Sequence, residues 1–272
     1  LNMVQGVELY APSGVALDTR GGQTHLYVSD TRNSRVLAWA NISSYQIGDA
    51  PSLVLGQPGP KYSNTQGIGV KGFNAPLGLA VDPITGNLYV ADYNNNRILR
   101  FPSPFANLSV IEPDAVYGQS GFSTNGAGTT ASTLTQPRSV AFDSAGNLWV
   151  ADTGNHRILR FGAATLNNSP PPAADTVIGQ KDFVSNGANA GGTVSASGFN
   201  GPTGLTFDAQ GNLYVSDFGN ARVLKFAAPQ APSTGAVAAT GVWGQSSLSA
   251  RSIPTQGSSS TMAGPEGLSV DG

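Results

Sequence analysis

The sequence predicts an all-β fold, a β-propeller of four-stranded antiparallel blades, on three observations. One motif, P-x-G-L-A-V-D-x-x-x-G-N-L-Y-V-A-D-x-x-N-x-R-I-L-R-F followed later by V-x-G-Q, is written four times in the 272 residues. Its second Asp stands at Asp30, Asp92, Asp152 and Asp217, at intervals of 62, 60 and 65 residues, and self-similarity at a fixed period marks a repeat architecture. The apolar residues fall in short runs punctuated by 35 Gly and 18 Pro, with no sustained 3.6-residue period, as expected of many short strands.

Each repeat divides into four strands. The first is expected at 14–18, 78–82, 139–143 and 204–208, preceded by a Pro that cannot donate to a ladder. A turn follows, written Gly-Asn in three copies (Gly86-Asn87, Gly146-Asn147, Gly211-Asn212), and both residues tolerate positive φ. In the first copy this turn is loosened over 19–24. The second strand is Leu-Tyr-Val or Leu-Trp-Val. The third follows D-x-x-N-x-R and ends on Trp39, Phe101, Phe161 or Phe226; the fourth ends at the Gly-Gln pairs 56–57, 118–119, 179–180 and 244–245. Near-continuous Leu, Val and Ile predict strands covered on both faces, as stacked sheets require. The whole is one repeat domain with repeats at about 12–57, 76–119, 137–180 and 202–245. A partial repeat at 265–272 offers one surplus first strand, which points to a ring larger than four blades.

Composition narrows the function. Acidic and basic residues number 16 and 14, for a net charge of −2, and only 11% of residues are charged. That balance gives no electrostatic footprint for nucleic acid or an anionic membrane, and no apolar stretch reaches the ~20 residues of a membrane span. With no Cys there is neither thiol chemistry nor Cys-bound zinc. Low charge with abundant Ser, Thr, Asn and Gly favours an exported or cell-surface protein. The start at Leu1, without Met or a leader, fits a removed signal peptide or ends that are not native.

The motif resembles the NHL repeat, and Asn155-His156-Arg157 keeps the first two of its name-giving letters. The resemblance covers all four copies and implies a propeller, in this family typically of about six blades. NHL blades run to the low forties, whereas these reach sixty, and the surplus lies in loops between one repeat and the next. Some relatives are metal-dependent lyases or hydrolases with His residues around the channel, and others bind RNA on a basic face. This chain has only His25 and His156, and its long loops carry little positive charge, so neither activity is the leading expectation.

The candidate residues follow from the repeat. The sets Asp30/Asn33/Arg35, Asp92/Asn95/Arg97, Asp152/Asn155/Arg157 and Asp217/Asn220/Arg222 read as latches, an Arg fork on a carboxylate closing the second-to-third strand turn. Asp18, Asp82, Asp143 and Asp208, at the ends of the first strands, read as turn caps, with a channel Ca²⁺ site as the alternative; Asp271 takes the same place in the partial repeat. No other cofactor is expected. Tyr62, Phe122 and Phe183, in the long loops, are binding candidates, while Phe73 and Phe199 read as packing anchors. Sequons at Asn41, Asn107 and Asn167 fall at one place in the repeat, the third-to-fourth strand connection. The expected function is a non-catalytic scaffold whose loops take a protein or glycan partner. The alternatives are a structural subunit that assembles with copies of itself and a metal-dependent lyase or hydrolase.

Overall fold

A computed structural model describes residues 8–58, 67–106, 108, 112–229, 237–253, 258 and 260–270. Four four-stranded antiparallel sheets form among them, each in simple sequence order. Blade 1 is β1 (Val15–Asp18), β2 (His25–Asp30), β3 (Arg35–Trp39) and β4 (Leu53–Leu55); blade 2 is β5 (Pro76–Val81), β6 (Leu88–Asp92), β7 (Arg97–Phe101) and β8 (Ala115–Tyr117). Blade 3 is β9 (Pro137–Phe142), β10 (Leu148–Asp152), β11 (Arg157–Phe161) and β12 (Thr176–Ile178); blade 4 is β13 (Pro202–Phe207), β14 (Leu213–Asp217), β15 (Arg222–Phe226) and β16 (Gly241–Trp243). Among the described residues the fold is an all-β propeller of four blades.

The blades fall into two compact units, 1–126 and 127–272. Within the first, β1 lies beside β5, and within the second β9 lies beside β13. Blades 1 and 2 share a core that joins Tyr27, Val36 and Leu55 to Phe73, Leu88, Val90 and Phe101. Blades 3 and 4 share another, of Trp149, Ile158, Ile178, Phe199, Val215 and Phe226. Phe73 and Phe199 are fully buried in these cores.

Coverage on both faces holds for middle strands such as β6, β7 and β10, buried at every residue, and for the fourth strands β8 and β12. The first strands of blades 1 to 3 are more open, with Val15 64% and Leu17 50% exposed in β1. In blades 2 to 4 the first strand starts on the Pro itself, which pairs with the latch Asp across a bulge. An edge strand tolerates a residue without N–H at its first position. The fourth strands stop before the Gly-Gln pair, whose Gly turns to positive φ (84°, 88°, 96° and 85° at Gly56, Gly118, Gly179 and Gly244).

The surplus strand is not formed: residues 265–270 carry no ladder, and Asp271 lies outside the described residues. The segment still docks, for Pro265 O accepts from Thr203 Oγ1 at 2.9 Å. A Cβ on Gly204 would stand 2.2 Å from Glu266 O, just as one on Gly14 would stand 2.1 Å from Leu77 O at the start of β5.

Candidate functional site

Every blade closes its second-to-third strand turn in the same way. Asp30, Asp92, Asp152 and Asp217 end the second strands and, three residues on, a 3₁₀ turn delivers Asn33, Asn95, Asn155 or Asn220. The next residue, Ser34, Asn96, His156 or Ala221, is left-handed at φ 52–53°. The Arg that opens the third strand then meets the Asp directly, its cross-strand partner. Arg Nε lies 2.6, 2.7, 2.7 and 2.8 Å from Asp Oδ2 in blades 1 to 4, with both side chains 0% exposed. The Asn Nδ2 donates to the same oxygen at 2.8–2.9 Å.

The set reaches further than one turn. The other carboxylate oxygen accepts a loop N–H, from Tyr10, Asn74, Thr135 and Asn200, at 2.6–2.7 Å. The guanidinium donates to carbonyls of the preceding loop, Gly69 and Gly72 in blade 2, Thr130 and Thr133 in blade 3, and Ser195 and Gly198 in blade 4. Its Nη1 takes a carbonyl of the following loop, Phe122, Phe183 or Leu248. A buried ion pair is worth having only when its remaining donors are satisfied, and here loop carbonyls satisfy them. Burial outweighs the pull of Arg97 and pushes the Asp92 carboxyl up to about 6; burial shifts Asp152 in the same direction.

Two fasteners escaped the sequence reading. The Gln of each Gly-Gln pair donates from Nε2 to the backbone of the latch turn, at the carbonyls of Ser34, Asn96, Asn155 and Ala221. Of the Gly-Asn turn, only the Gly takes positive φ. The Asn instead accepts a backbone N–H from the third-to-fourth strand connection, Ser103, Ala163 or Ala228. Recurrence at a fixed place was the available signal for both.

Phe122 and Phe183 are half-buried, Phe122 against the core of blades 1 and 2, and each lends its carbonyl to a latch. Tyr62 lies outside the described residues, as does Asn107. Among the described residues, the large exposed apolar side chains of the long loops are Ile68 (46%), Val184 (64%) and Ile253 (58%). Asn167 is exposed and Asn41 half-exposed, its Oδ1 capping a short turn through Ser43 N.

The first-strand carboxylates are occupied by their own turns. Asp18 holds Arg20 through two oxygens at 2.9 and 2.8 Å; burial opposes ionisation, but Arg20 holds its pKa below the ordinary value. Asp82 takes Ile84 N, Thr85 N and Thr85 Oγ1. Asp143 takes Ala145 N, Asn147 N and Nδ2, and Trp149 Nε1. Asp208 takes Gln210 N, Asn212 N and Nδ2, and the Tyr214 hydroxyl. Among the described residues no three His, Asp or Glu come together to hold a metal ion. His25 stacks on Phe105 at 4.2 Å between centroids.

His156 is a pH-sensitive joint. Its Nδ1 accepts the Gly201 N–H at 2.8 Å, which requires the neutral ring. Burial lowers its pKa despite the opposing charge of Asp217. A lowered folded-state pKa binds fewer protons than the unfolded chain, so this stability is complete above about 6.5 and is lost as the pH falls from there through the folded value. The raised carboxyl of Asp92 acts with the opposite sign, so the comparison must be with a variant. Between about pH 7.5 and 5.5 the urea midpoint of the wild type is expected to fall relative to that of His156→Asn, which keeps the left-handed turn. Parallel midpoints would remove His156 from the pH response.

These repeated blades and latches define an NHL-type propeller. The family profile described as the Teneurin NHL domain matches residues 3–227, and the chain belongs to the NHL-repeat family. It is 28% identical over 195 residues to NHL repeat-containing protein 2 of Gallus gallus, covering 64% of this chain and 25% of that protein. It is 34% identical over 115 residues to NHL repeat-containing protein 3 of Homo sapiens, covering 41% and 28%. The chain thus spans about a quarter of the length of the curated relatives it matches. Among solved structures, a chain of a nidogen/laminin complex aligns over 88% of this chain and 70% of its own, with a TM-score of 0.50 at 19% identity. No helix of the described residues is long and apolar enough to cross a membrane.

Proposed function

We propose that the chain is a non-catalytic binding scaffold, exported or displayed at a cell surface, whose long loops between blades take a partner. The observation that carries this reading is the reach of the latch arginines. Loops such as 181–201 have little regular structure, yet Arg157 and Arg222 hold carbonyls at both ends of that loop. Fixing a loop before binding lowers the ordering cost of recognition, and recognition on rigid scaffolds concentrates in such loops. The contact side chains are Ile68, beside latch-held Gly69, and Val184, beside latch-held Phe183. The partner is a protein, a glycan or a second copy of this chain.

The test uses protein secreted by an N-glycosylating host, whose intact mass also reads sugar on Asn41, Asn107 and Asn167. Glycan and extracellular-protein arrays, together with light scattering for self-association, identify the partner. Ile68→Asp and Val184→Asp are then expected each to weaken binding at least tenfold, with thermal unfolding unchanged. Binding indifferent to both substitutions would overturn the loop assignment.

A further inference from the structure

The pair Asn-Gly occurs three times, at 125–126, 186–187 and 200–201. Asn is among the thermolabile residues, and a following Gly makes it more so, because without a Cβ its nitrogen is unshielded and its φ is free. That nitrogen attacks the Asn Cγ. A bond forms between them, the Cγ–Nδ2 bond breaks, and ammonia leaves with the proton that the Gly nitrogen gives up. The succinimide then takes up water. Attack at Cγ leaves an Asp, and attack at the main-chain carbonyl leaves an isoaspartate, whose chain runs through the side chain and is longer by one carbon. The peptide between Asn and Gly must turn for the ring to close, so bonds that hold its C=O and N–H oppose the reaction.

The three pairs differ in how their peptide is held. Asn125 and Asn186 stand at one place in the repeat, F-x-x-N-G-A, and both they and the Gly after them are exposed. Neither the side-chain amide nor the Gly N–H of either pair is hydrogen-bonded among the described residues. The peptide 186–187 is held by nothing, and the peptide 125–126 only at its carbonyl, which accepts Asn96 Nδ2 at 2.8 Å. The peptide 200–201 is held at both ends. Asn200 O accepts Gly219 N at 2.8 Å, and Gly201 N donates to His156 Nδ1 at 2.8 Å. Its side chain is also packed in, for a Cβ on Gly219 would stand 2.6 Å from Asn200 Cγ.

We propose that Asn186 and Asn125 are sites of spontaneous deamidation and isoaspartate formation, and that tertiary structure spares Asn200. The next carbonyl is the one the Gln fasteners hold: Gly126 O accepts Gln119 Nε2 at 2.8 Å, and Gly187 O accepts Gln180 Nε2 at 2.9 Å. One carbon added just before it moves that carbonyl off its donor, while a new carboxylate joins an exposed loop. Both loops are therefore loosened as the protein ages. In blade 4 the matching acceptor is Ser252 O, which follows Arg251 and so has no amide to react. These sites stand whether or not the loops bind a partner.

The test holds the full chain in mildly alkaline buffer and follows aspartate and isoaspartate at each Asn by peptide mapping with electron-transfer fragmentation. The urea-unfolded chain is the reference, in which the three pairs are expected to convert at similar rates. In the folded chain Asn186 is expected to convert fastest, Asn125 next, and Asn200 at least tenfold more slowly than Asn186. Gly126→Ala, whose Cβ meets no atom within 4 Å, is expected to slow Asn125 at least tenfold with thermal unfolding unchanged. His156→Ala copies Ala221, left-handed at the same place in blade 4. It frees the Gly201 N–H and is expected to speed Asn200 alone, in a chain that circular dichroism shows still folded. Amide exchange around Gly126 and Gly187 is expected to rise in the aged protein. The proposal is overturned by folded-state rates equal at the three sites, by Asn125 and Asn186 slowed as much as Asn200, or by Asn200 converting no faster in folded His156→Ala.

Discussion

Arg157→Ala is expected to destabilise the protein by about 3–5 kcal/mol, because it strands the fully buried Asp152 carboxylate without its cation. Equilibrium urea unfolding followed by Trp fluorescence, with Trp149 in the same blade as reporter, reads the loss. The double variant Asp152→Leu/Arg157→Leu separates two effects. If the pair were only a pair, an apolar replacement would be close to neutral. Arg157 also satisfies carbonyls of Thr129, Thr130, Thr133 and Phe183, and Leu can bond none of them. The double variant is therefore expected to recover part of the loss and to expose residues 128–135 and 181–185 to faster amide exchange. Full recovery with unchanged exchange would reduce the latch to a local ion pair.

Gly179→Ala is expected to cost about 2–5 kcal/mol, from two additive causes. The residue sits at φ +96°, where a Cβ costs about 1–2 kcal/mol. That Cβ would also lie 2.2 Å from Cδ2 of Phe199, a fully buried ring, and overpacking a core costs about 1–3 kcal/mol. A thermodynamic cycle with Phe199→Leu distinguishes them. The smaller side chain should relieve the clash and leave the backbone strain, so the Gly179→Ala penalty falls to about 1–2 kcal/mol in that background. An unchanged penalty would mean that the backbone conformation alone demands Gly here.

Much of this molecule is written locally. The recurring Asp and Arg, five residues apart, specify a tight turn that brings them face to face across a ladder, and local geometry suffices to place them. The strands likewise follow from short apolar runs ended by Gly and Pro. The repeat also marks Phe73 and Phe199 as anchors, since each precedes its blade by the same three residues.

Other features depend on partners far along the chain. Nothing near Asp92 indicates that Arg97 would take the carbonyls of Gly69, Gly72 and Phe122, roughly 25 residues to either side. Phe122 and Phe183 read as binding candidates because they stand in the long loops between repeats. The fold turns them half inward and leaves Ile68 and Val184 outside, since burial depends on what the next strand or loop brings over a residue. Arg100 and Arg160 occupy identical motif positions, R-I-L-R-F, yet the first forks onto Asp114 at 2.7 and 2.9 Å and the second meets Asp175 at 3.6 Å. The difference lies in a connection of variable length that places Asp114 and Asp175 differently. The repeat, its strands and its latches were thus determined by sequence alone, through short-range sterics and hydrogen bonding. Which loops are pinned and which side chains face water were decided by tertiary structure, because each depends on the positions of groups brought together only when the blades stack.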